Sequence, residues 1–77
     1  MAAESTELGT LLLQARADRD WVKVQRLLSR LAELEPDRTL AGVHLRERAR
    51  VLEEQLGDQE AAIEVWVVVL DADPAAG

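Results

Sequence analysis

The chain predicts an all-α protein, two stacked antiparallel helical hairpins made of four helices, on three observations. The first is an internal echo: Asp20, Val24, Leu28, Leu31, Ala32 and Pro36 recur in class 38 residues later as Asp58, Ala62, Trp66, Val69, Leu70 and Pro74. A period of this size is the signature of stacked helical units. The second is apolar spacing at the 3.6-residue helical period in four separate segments. The third is punctuation, with Pro36, Gly57 and Pro74 standing where helices stop. Proline pushes the residue before it out of the helical region, and glycine closes a helix in the left-handed conformation without a Cβ penalty.

The first helix is expected from about Ser5, a candidate N-cap, to Ala17, with Leu8, Leu11, Leu12 and Ala15 as its stripe. Asp20 can cap the second, whose broad apolar face is Trp21, Val24, Leu27, Leu28, Leu31 and Leu34 and which Pro36 ends after Glu35. Asp37 can cap the third, which is expected to reach Leu56 with Leu45, Ala49, Leu52 and Leu56 on its stripe, before Gly57. Asp58 caps the fourth, where Glu60 suits the positive end of the helix dipole. Short turns between four helices predict antiparallel neighbours in one domain over residues 1–77.

Composition narrows the function. The 77 residues carry a net charge of -6 and no cysteine, so neither a disulfide framework nor a thiolate metal site is open to them. Five basic and six acidic groups lie in residues 1–36, four and nine in residues 37–77, so the second half is the acidic one. An acidic domain without a basic stripe is not expected to bind nucleic acid or an anionic membrane. Met1-Ala2-Ala3-Glu4 lacks the basic start and apolar core of a secretory leader, and a cytoplasmic setting is the expectation.

No residue constellation points to catalysis, a metal or a cofactor. His44 is the sole histidine and has no His-Glu-x-x-His spacing around it. Ser5 and Ser29 lack a nucleophile turn, and adjacent helical carboxylates such as Glu53 and Glu54 point about 100° apart. Trp21 and Trp66, the only aromatics, fall on apolar faces and are expected in the core.

The order Ala62, Trp66, Val69, Leu70, Pro74 resembles the second helix of a tetratricopeptide repeat, and Leu8, Leu11, Leu12 and Ala15 with Leu45, Ala49 and Leu52 resemble the first helix of two such units. The two repeats are degenerate, covering about residues 5–36 and 38–74. One extra residue before Leu56 and a longer stretch at Asp37-Arg38-Thr39-Leu40 account for a spacing above the family's roughly 34 residues. Arg19 stands where the family prefers glycine.

The resemblance implies a non-catalytic module that binds a partner protein or peptide in a groove lined by the first helix of each unit. Gly9, Leu13, Arg16, Arg46, Arg50 and Glu53 map to that groove. Arg46 and Arg50 lie one turn apart and can meet a carboxylate together; ion pairing with Glu47, Glu53 or Glu54 is the competing reading. The alternative function is self-assembly, as a homodimer through the fourth helix, because Val65, Val67, Val68 and Val69 make it apolar nearly all round.

Overall fold

A computed structural model describes residues 2–72 of the chain. Helices α1 (Ala2–Ala17), α2 (Trp21–Leu34), α3 (Arg38–Arg50) and α4 (Gln59–Ala72) follow in order, and a π-helical turn, Val51–Gln55, continues α3. Among the described residues there is no strand, so the all-α class expected from the sequence is the one observed. Pro74 lies outside the described residues.

Three aspartates start helices as their chemistry predicts. Oδ1 of Asp20 accepts from the Lys23 amide at 3.3 Å, that of Asp37 from Thr39 at 2.8 Å, and that of Asp58 from Ala61 at 3.1 Å. Each satisfies an amide of the first turn that has no partner within the helix. Ser5 does not play this part: α1 begins at Ala2 and Ser5 lies inside it. Ahead of Pro36, Glu35 takes extended backbone (φ -78°, ψ 116°) and α2 ends at Leu34.

The two hairpin turns share a left-handed residue but close through different bonds, the second through the Asp58 amide on the Leu52 carbonyl (2.8 Å). At the end of α1, Arg19 adopts φ 56° while its amide donates to the Arg16 carbonyl (3.1 Å) and the Asp20 amide donates to Ala15 (3.0 Å). These are the paired bonds of a Schellman closure, made here without its usual glycine. Gly57, 38 residues on, adopts φ 64°.

The π turn explains how the third helix absorbs an extra residue. Burial matches Leu8, Leu12 and Ala15 to Leu45, Ala49 and Leu52, an offset of 37, whereas Arg19 and Gly57 match at 38. One residue added to an α-helix would rotate everything after it by about 100°. A turn closed by the Leu56 amide on the Val51 carbonyl (3.1 Å) widens the helix instead and keeps the phase.

Two apolar clusters hold the hairpins. Leu12, Ala15, Val24, Leu28, Leu31 and Val51 form the first, with Leu8, Trp21 and Leu27 packed against it. Ala49, Leu52, Ala62, Val65 and Val69 form the second, with Leu45, Ala61 and Trp66 at its edge. The neighbours Val51 and Leu52 therefore enter different clusters and join them. Leu11 and Leu56 lie on the surface rather than on their expected stripes, and both tryptophans are half-buried at cluster margins. Val65 takes the buried place next to Trp66.

Each helix packs on its neighbours in the chain, α1 on α2, α2 on α3 and α3 on α4. The extents are 30 × 30 × 13 Å. Among the described residues no helix is long and apolar enough to cross a membrane.

Candidate functional site

Helix α3 has neighbours on two sides and one open face. Leu45, Ala49 and Leu52 turn to α4, and Arg48 turns to α2, where its Nε donates to Gln25 Oε1 at 3.0 Å. Val43, Arg46, Glu47 and Arg50, spaced i, i+3, i+4, i+7, remain on the third face and line a depression of about 370 Å³. Arg46 and Arg50, paired on sequence grounds as a carboxylate clamp, are thus brought together, with exposed Val43 beside them.

Two of the three acids that could quench this pair have other partners, and the third, Glu54, is exposed. Glu47 is ion-paired with Arg16 of α1, and Glu53 Oε1 accepts from the Trp66 indole Nε1 at 3.3 Å. Among the described residues Arg46 and Arg50 form no ion pair. Arg30 shows the opposite situation, held by Glu4 at 3.0 Å and Glu33 at 3.2 Å. Its pKa is raised, first by the hydrogen bond to Glu4 and then by that to Glu33.

The remaining groove residues divide. Leu13 is exposed and free to touch a ligand, Arg16 is committed to Glu47, Glu53 to Trp66, and Gly9 is half-buried on α1. Among the described residues no three of the His, Asp and Glu side chains gather closely enough to hold a metal ion.

The valines of α4 need correction. Val65 and Val69 are buried in the second cluster and offer nothing to a partner, because they point at α3. Val67 and Val68 are exposed, but about 100° apart on the helix they do not share a face. Val68 lines a shallow depression of about 230 Å³ with Leu45, Arg48, Ala61, Glu64 and Val65. Val67 belongs instead to a stripe that the sequence reading passed over: Ile63 (59% exposed), Val67 (59%) and Leu70 (48%). The signal was present as i, i+4, i+7 spacing beside the core stripe.

Comparison of the chain with protein-family models, curated proteins and solved structures finds no match.

Proposed function

We propose that the chain is a non-catalytic protein-interaction module of tetratricopeptide type whose α3 surface captures a carboxylate-bearing segment of a partner. The observation that supports this reading is the couple Arg46 and Arg50 on one depression, without an ion pair among the described residues and with Glu47 and Glu53 engaged elsewhere. A guanidinium matches a carboxylate with two parallel hydrogen bonds, and such charge-assisted bonds are roughly twice as strong as neutral ones. Val43 adds apolar contact for the side chain next to the captured acid. The parallel burial of the two hairpins supports the repeat reading itself.

The test is fluorescence anisotropy with a labelled peptide carrying two adjacent acidic residues and a neighbouring aliphatic one. Arg46→Glu with Arg50→Glu should weaken capture by at least tenfold, about 1.4 kcal/mol. The wild-type affinity should itself fall as salt rises, since the screening length shrinks from about 10 Å at 0.1 M to about 3 Å at 1 M. Among the described residues neither arginine has a partner whose loss would disturb the fold, so circular dichroism should be unchanged. Equal affinity for the reversed protein would eliminate the clamp.

A further inference from the structure

The outer stripe of α4 has a counterpart inside the molecule. With the offset of 38 that relates α2 to α4, Ile63, Val67 and Leu70 correspond to Gln25, Ser29 and Ala32. On α2 those three are half-buried, and α3 covers that side of the helix, with Arg48 bonded to Gln25. The equivalent of Trp66 is Leu28, fully buried in the cluster that Val51 of the π turn joins. On α4 the same positions lie open and are more apolar than on α2, and Trp66 is half-exposed beside them.

We infer that this face of α4 docks an amphipathic helix with a basic flank, seated on α4 as α3 is seated on α2. Charge selects the occupant. At 100° per residue, Ile63, Val67 and Leu70 fall within an arc of about 60°, and Glu60, Asp71 and Glu64 line the side of that arc away from Trp66. All three acids are exposed, and α4 contains no lysine or arginine. The internal precedent agrees, for α3 carries four arginines and no acid but Glu47.

A second copy is disfavoured in either arrangement. Antiparallel two-fold pairing of α4 with α4 sets acid rim against acid rim, and parallel pairing offers neither rim a cation, since α4 has none. Head-to-tail stacking sets the apolar stripe and its acid rim on the outer side of α1, where Glu7, Thr10 and Gln14 are exposed and the helix's one basic residue, Arg16, is already held by Glu47. This surface is separate from the Arg46 and Arg50 depression and favours the opposite ligand charge, so the inference stands apart from the proposed function.

The experiment is titration calorimetry with a Leu/Lys amphipathic helical peptide, against the same helix with glutamate for lysine. The Leu/Lys helix should bind one to one, and its affinity should fall with salt. The glutamate helix should not bind. Ile63→Gln with Val67→Gln, both at exposed positions, should weaken the Leu/Lys helix by about tenfold or more while circular dichroism is unchanged, since the apolar contact of both side chains is lost. Arg46→Glu with Arg50→Glu should not weaken it. Equal binding of the two helices, or no effect of the Ile63 and Val67 changes, overturns the inference. So does a sedimentation result showing that the free chain is a dimer which those two changes dissociate.

Discussion

Replacing Arg19 by glycine should stabilise the protein, and the size of the effect follows from the left-handed backbone that Arg19 shares with Gly57. Arg19 holds φ 56°, a conformation that costs a residue bearing a Cβ about 1–2 kcal/mol. Glycine escapes that cost but loses about 0.5–1 kcal/mol more backbone entropy on folding. The net gain is about 0.5–1 kcal/mol, and in a domain of this size each kcal/mol moves Tm by about 4–8 °C. The Arg19 side chain makes no hydrogen bond or ion pair among the described residues, so nothing else is removed. Gly57 provides the mirror experiment, since a Cβ built there meets nothing within 4 Å and Gly57→Ala therefore carries the torsional cost alone. Thermal and urea unfolding followed by circular dichroism should place Arg19→Gly above the wild type, Arg19→Ala level with it and Gly57→Ala below. A neutral Gly57→Ala, or an Arg19→Gly that melts lower, refutes the reading of the left-handed residue as strained at Arg19 and relaxed at Gly57.

Leu28→Ala should cost about 2–5 kcal/mol, because Leu28 is fully buried and the change leaves a cavity. Trp66→Ala should cost distinctly less than full burial of an indole would imply, because Trp66 stands at a cluster margin; denaturant midpoints compare the two directly, and an equal loss would count against the observed packing. Deleting Glu54 should convert the π turn into plain α-helix and leave stability within about 1 kcal/mol, since the exposed Glu54 contributes nothing to either cluster and the remaining phase matches that of α1. Deleting Ser29 from α2 is the control: it rotates the residues beyond it by about 100°, takes Leu31 out of the first cluster and should abolish the melting transition.

Helix content, starts and stops were legible because they rest on local chemistry. Asp20, Asp37 and Asp58 cap through their own carboxylates, and Pro36 ends α2 through its own ring, whatever surrounds them. Burial was less legible, for it depends on which side of a helix its neighbour occupies. Trp66 and Val65 are adjacent, both apolar, and the 38-residue echo favoured the larger; only the position of α3 decides that Val65 is the one enclosed. Val51 was missed for the same reason, since a residue that reaches back to the preceding hairpin lies off the stripe of its own. The arginine pair was legible as spacing, but its freedom from Glu47 was not. That depends on Arg16 arriving from another helix 31 residues earlier.

A row of helices packed mainly on their chain neighbours, with the Arg16–Glu47 ion pair bridging α1 to α3, gives each inner helix two covered sides, and the two end helices one. At α1 the outer side carries Glu7, Thr10 and Gln14, and its exposed Leu11 and Leu13, about 160° apart on the helix, share no face. At α4 the outer side is Ile63, Val67 and Leu70, an aliphatic surface that water meets at about 25 cal/mol per Å². The two ends are therefore not interchangeable. The same asymmetry separates the two candidate surfaces by charge. α3 places Arg46 and Arg50 on a face that neither α2 nor α4 covers, while α4 rims its apolar stripe with acids, so a ligand suited to one is repelled by the other. A peptide that binds at both surfaces would need separate acidic and basic segments. For that reason single-surface variants can assign each site without ambiguity.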